Sequence, residues 1–88
     1  MAAICELADL RGWMTYHTYD SRRSTPGFPD LVAVRGSRLV FAELKAAKGR
    51  LRSAQRWWLD QLAQVPGVQV HVWYPADWFN GQIDRVLT

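Results

Sequence analysis

The chain has 88 residues, 49% of them apolar and 12% aromatic, with one cysteine and a formal net charge of +3. At this length the chain makes a single domain that buries about 60–65% of the surface its unfolded form exposes, so five tryptophans matter to a small core and self-association is an expected source of stability. A lone thiol closes no internal disulfide and builds no thiolate zinc cage, and the N-terminus carries Glu6 and Asp9 instead of a long apolar run, which points to a cytoplasmic protein without signal peptide or membrane span.

In ICELADLRGW, Ile4, Leu7, Ala8 and Arg11 recur at helical spacing, and Gly12 supplies a stop. WMTYHTYD, rich in threonine and aromatics, predicts a strand. SRRSTPGFP predicts a loop, because its prolines and glycine deny regular structure. LVAVRG and RLVFAELK predict two strands joined at Gly36-Ser37 by a two-residue hairpin turn. The basic connector AKGRLRS leads into SAQRWWLDQLAQV, a helix with Ala54, Trp58 and Leu62 on one stripe, Gln55 and Leu59 beside it, and a stop at Pro66-Gly67. Trp58 is expected in the core and its neighbour Trp57 at the surface. VQVHVWY alternates apolar and polar residues as a strand does, and PADWFNGQIDRVLT closes with a turn and a short helix. The order α-β-β-β-α-β implies an α/β sandwich with a mixed sheet.

From Lys45 to Arg56 there are five basic residues (Lys45, Lys48, Arg50, Arg52 and Arg56) and no acid, and Arg22-Arg23 adds a second pair. One-signed charge of this kind suits a polyanion such as DNA, whose counterions are released on binding. The same stretch also fits a solvated basic loop. Arg22, Arg23, Lys48, Arg50 and Arg52 are the candidates for contact with a DNA backbone.

The third strand raises a sharper possibility. Side chains alternate along a strand, so Glu43 and Lys45 share one face with Phe41, while Val40, Ala42 and Leu44 form a clean apolar face opposite. Taken alone this fits a strand with one face in water. Asp30, at the start of the preceding strand, changes the weighing: counting outward from a turn at Gly36-Ser37, with Arg35 and Arg38 the nearest strand residues, Asp30 falls opposite Ala42 or Glu43, depending on register. Like charges side by side destabilise a sheet and raise each other's pKa. A divalent cation removes that penalty, and Mg2+ takes one or two carboxylates while keeping waters for a phosphate to displace. Asp30 and Glu43, with the backbone carbonyl of Leu44, are therefore the expected ligands of Mg2+ or Mn2+. Lys45 would orient the attacking water or stabilise charge on the phosphate in phosphodiester hydrolysis. His17 and His71 are read as packed strand residues, and Ser21 lacks a base or oxyanion motif.

GFPDL and AELK supply the two halves of a PD-(D/E)xK signature, and YHTYDSRR, KGRLRSAQRWWLDQL and VQVHVWYPADW fall in the matching order. Over residues 7–88 the chain resembles the small stand-alone VRR-NUC proteins of phage and prophage genomes. The resemblance implies a restriction-endonuclease-like α/β core and a place for Gln55 in the active site beside Lys45. It also implies an Mg2+-dependent endonuclease acting as a homodimer on double-stranded or branched DNA, in the manner of Holliday-junction resolvases, in the cytoplasm of a bacterial host. Two departures stand out. An acid that family members often carry early in the first helix would align before Met1, with Glu6 the substitute at hand. Arg52 stands where the family often has a serine helix cap, which Ser53 can supply one residue later. Two competing readings are a non-catalytic nucleic-acid-binding module that keeps the fold for its basic face, and an interaction partner within a phage replication or packaging complex.

Overall fold

In the computed structural model, which describes residues 1–18 and 25–88, the chain runs through α1 (Ala2–Leu10), β1 (Met14–His17), β2 (Leu31–Arg35), β3 (Arg38–Leu44), α2 (Ser53–Ala63), β4 (Val68–Trp73), α3 (Pro75–Phe79) and α4 (Gln82–Val86). The α-β-β-β-α-β order stands, and the closing turn resolves into two short helices. Ser21, Arg22 and Arg23 lie outside the described residues. The four strands form one sheet in the order β1-β2-β3-β4. The first two pairings are antiparallel, as a two-residue turn at Gly36-Ser37 requires of β2 and β3. β3 and β4 are parallel because α2 carries the chain back across the sheet between them.

Strand alternation divides the sheet into two faces. Leu31, Ala33, Val40, Ala42 and Trp73 pack against Ile4 and Ala8 of α1 and Ile83 and Leu87 at the chain's end, forming the main core. Phe41 and Glu43 point the other way, toward α2. On α2 the buried position is Leu59, not the expected Trp58 stripe: Trp58 is half-buried and Ala54 exposed. The ring of Phe28 causes the difference. It stands edge-on against both Trp58 and Phe41, at centroid distances of 5.2 and 6.1 Å, and so separates Trp58 from the sheet. Trp57 is exposed, as expected.

One pairing looks unfavourable. Arg35 and Arg38 are directly opposed across the hairpin, a like-charge juxtaposition that ordinarily weakens a sheet. Here both guanidinium carbons lie over the indole of Trp13, 4.7 and 4.8 Å from its centre. Arg35 also donates to the carbonyls of Arg11 and Thr88, and Arg38 to those of Val86 and Thr88. Cations at the carbonyl end of α4 are favoured by the helix dipole as well. The indole N–H of Trp13 completes the clasp with a buried 3.0 Å bond to the Leu87 carbonyl. Replacing Trp13 by Phe keeps an aromatic face but leaves that carbonyl without its donor. The expected cost is about 1–3 kcal/mol in urea denaturation, with the fold retained.

Candidate active site

The loop before β2 is built one residue at a time. Gly27 has φ +87°, and a Cβ placed there would meet the Ala54 carbonyl carbon at 2.4 Å and its oxygen at 2.5 Å. Only glycine lets this loop lie against the start of α2. Phe28 then wedges between α2 and the sheet, and Pro29 is fully buried. Asp30 is thereby held one step beyond the last β2 pair, Leu31 with Ala42, and stands opposite Glu43. Of the two registers open to the sequence, this is the one that juxtaposes the acids. The Lys45 N–H bonds to β4, so by alternation the Leu44 N–H turns toward β2. β2 has ended at that level, and Asp30 Oδ2 accepts the bond at 2.8 Å in place of a ladder carbonyl.

Glu43 is not a solvated strand residue: α2 covers its face and leaves it 3% exposed. Its Oε2 accepts the side-chain N–H of Gln55 at 2.8 Å. The Lys45 ammonium lies 3.5 Å from the same oxygen and donates to Gln55 Oε1 at 2.7 Å. Gln55 Oε1 further accepts the backbone N–H of Arg52 at 2.8 Å. One amide thus joins the acid, the lysine and the first turn of α2. The expected cap at Ser53 is not formed, because α2 begins at Ser53 and Arg52 is its N-cap residue. Gln55 reaches back to the Arg52 N–H, as the third helical residue of a capping box does.

Burial first, and the facing Asp30 second, push the Glu43 carboxyl up to about 7, with Lys45 opposing them. The acid pair is therefore poorly neutralised by its own chain. Two facing carboxylates, Glu43 buried and Asp30 half-buried, fit a hard divalent cation of the Mg2+ or Mn2+ type. Among the described residues no third Asp, Glu, His or Cys joins them. Glu6 is exposed on α1, beside Asp9 and Leu10, and does not join the acid pair.

The basic residues Lys48, Arg50, Arg52 and Arg56 are all exposed along the connector and the first turn of α2 that follow Lys45. Of these, Arg52 is tied to the cluster through its backbone N–H, while Arg56 lies at a separate cavity with His71 and Val72. His71 is separate from the acid cluster: its ring stacks on Trp73, and burial, with Arg38 nearby, lowers its pKa. Asp30, Glu43 and Lys45, singled out from the sequence, and Gln55, implied by the resemblance, come together here, whereas the supporting parts played by Gly27 and Phe28 are not signalled by any of those motifs. The available signal was a glycine and an aromatic residue immediately before Pro-Asp, inside an otherwise polar loop.

Two outcomes follow from this geometry. The folded-state value for Glu43 lies above its ordinary 4.5, so the protonated form is the stable one. Stability present below about pH 4.5 is lost as pH rises toward 7, by roughly 2–3 kcal/mol in metal-free buffer. Glu43→Gln, which cannot ionise, is expected to gain on the unmodified protein by that amount between pH 4.5 and 8 in urea titrations. A constant difference across that range would refute the raised carboxyl. Gly27→Ala is expected to destabilise by more than about 2 kcal/mol, combining backbone strain with the clash at Ala54; thermal melting measures it.

The VRR-NUC domain family matches this chain over residues 2–76. Among solved structures, Hjc from the archaeal hyperthermophile Archaeoglobus fulgidus, a Holliday junction resolvase, is similar with a TM-score of 0.55 and 24% sequence identity. The alignment covers 84% of this chain and 63% of Hjc, so the chain spans less than two thirds of that protein, and the likeness is one of fold. No curated protein sequence matches.

Proposed function

The chain belongs to the VRR-NUC family of nucleases, and from that premise we propose that it is a metal-dependent endonuclease hydrolysing phosphodiester bonds in double-stranded or branched DNA. The observation that carries this reading is that Asp30 faces Glu43 one step past the last β2–β3 pair, with Lys45 held beside them by Gln55. Asp30 and Glu43 would hold Mg2+ or Mn2+. The Leu44 carbonyl is a further donor, because C=O and N–H of one strand residue point to the same side and the Leu44 N–H meets Asp30. A bound divalent ion would supply Lewis-acid activation of the phosphate and of water.

The chain's own residues do the rest. Lys45, only 13% exposed in its side chain, presents a fixed positive charge where charge builds on the phosphoryl oxygens. Gln55 fixes the positions of Lys45 and Glu43 together, which reduces the reorganisation needed when substrate arrives. Lys48, Arg50 and Arg52 engage flanking phosphates and make binding sensitive to salt. The active form is a homodimer. Met14, Tyr16 and Val34 lie exposed on β1 and the adjoining strand, on the sheet face that α2 covers elsewhere, and offer an uncharged surface to a second copy.

The test is cleavage of plasmid and four-way-junction DNA with Mg2+ or Mn2+. Cutting is expected with either ion, to cease in EDTA, and to fall about 100-fold or more in Lys45→Ala. Asp30→Asn should remove both cutting and the heat of Mn2+ binding in calorimetry. DNA bound tightly and left intact with metal present would defeat the enzyme reading and leave a binding module.

A further inference from the structure

A cleft of about 290 Å3 opens at the ends of β3 and β4, between the first turn of α1 and α3. Ile4, Leu44, Trp73, Trp78 and Phe79 line it, together with Lys45. No acidic side chain contributes to the lining, and Lys45, whose ammonium pairs with Glu43, is the residue common to the cleft and the acid cluster, both at the same end of β3. Two aromatics on α3 are conspicuously open to solvent: Phe79 is 84% exposed and Trp78 38%. The helix presenting them is held firmly. Pro75 begins it, Asp77 accepts the Tyr74 N–H at 2.8 Å, and the Tyr74 hydroxyl donates to the Gly49 carbonyl at 3.2 Å. That last bond fastens α3 to the connector bearing Lys48 and Arg50. Trp78 and Phe79 also lie past residues 2–76, where the family match ends.

Exposed aromatics beside fixed cations form the arrangement that binds single-stranded nucleic acid: bases stack on rings while basic groups follow the phosphates. A base paired inside a duplex has its faces covered by its neighbours and cannot stack on these side chains. We propose that the cleft receives an unpaired nucleotide of the DNA strand adjoining the phosphate held at Asp30, Glu43 and Lys45, with its base stacked on Phe79 and Trp78. The inference rests on the nuclease reading and sharpens it. DNA with an unpaired nucleotide next to the cut is the preferred substrate over uninterrupted duplex.

The experiment measures binding in EDTA of a short fluorescent oligothymidylate and of a blunt duplex. Phe79→Ala is expected to weaken oligothymidylate binding about tenfold or more and to change duplex binding less than about twofold, because each stacked base contributes a term of that size. Phe79→Trp should restore it. Phe79 is exposed, so the variant keeps its fold, which circular dichroism verifies. Unchanged oligothymidylate binding in Phe79→Ala overturns the assignment. So does light scattering that shows Phe79→Ala turning a dimer into a monomer, since a second copy would then cover the cleft. Cleavage with metal, compared between the unmodified protein and Asp30→Asn, reports on the nuclease reading separately. If oligothymidylate binding needs Phe79 and no metal sustains cutting, the cleft stands and the nuclease reading falls. If cutting needs Asp30 but oligothymidylate binding ignores Phe79, the cleft falls alone.

Discussion

The repulsion between Asp30 and Glu43 is the interaction around which this small protein is arranged. Two acids at facing positions on one sheet face would normally separate or stay in water. Here a buried proline, an aromatic wedge and a glycine pressed against α2 leave Asp30 little room to turn away. Glu43 is roofed by the same helix. The fold thus holds a local electrostatic cost that ordinary side-chain motion cannot relieve, and that is the cost a divalent ion would remove under the function proposed above.

A second like-charge pair in the same sheet shows the contrast. Arg35 and Arg38 oppose each other as squarely as the acids do, yet they are relieved within the chain by the Trp13 ring and by three bonds to two carbonyls, Val86 and Thr88, at the C-terminal end of the fold. The cationic pair has become a structural clasp joining the hairpin to α4. Among the described residues the acidic pair has Lys45, the Gln55 amide and the Leu44 N–H, and Glu43 stays well above the usual carboxylate range despite them. Internal compensation on one side and its shortage on the other separate a stabilising feature from a reactive one.

Much of this was legible in the sequence. Strand alternation placed Glu43 and Lys45 on one face, and the short turn at Gly36-Ser37 limited Asp30 to two registers. The structure selected the one that faces Glu43. What the sequence concealed depended on contacts across long separations. Trp58 was placed in the core because periodicity registers only the helix, whereas the intervening ring comes from Phe28, thirty residues earlier. Ser53 was a reasonable cap by residue type, but a glutamine three residues past Arg52 already served the free N–H. Burial of Glu43 likewise depends on where α2 lies, which no local pattern encodes.

The amide of Gln55 has a dynamic consequence. Because one oxygen accepts both the Arg52 N–H and the Lys45 ammonium, fraying of the first turn of α2 frees the lysine from the amide in the same event and leaves it only its ion pair with Glu43. Helix ends open far more often than cores do. The residence time of Lys45 beside the carboxylates is thereby set by a local opening equilibrium, and a phosphate backbone settling on Arg50 and Arg52 would slow that opening. Under the function proposed above, arrival of the polyanion and steadying of the amine would then be one coupled event.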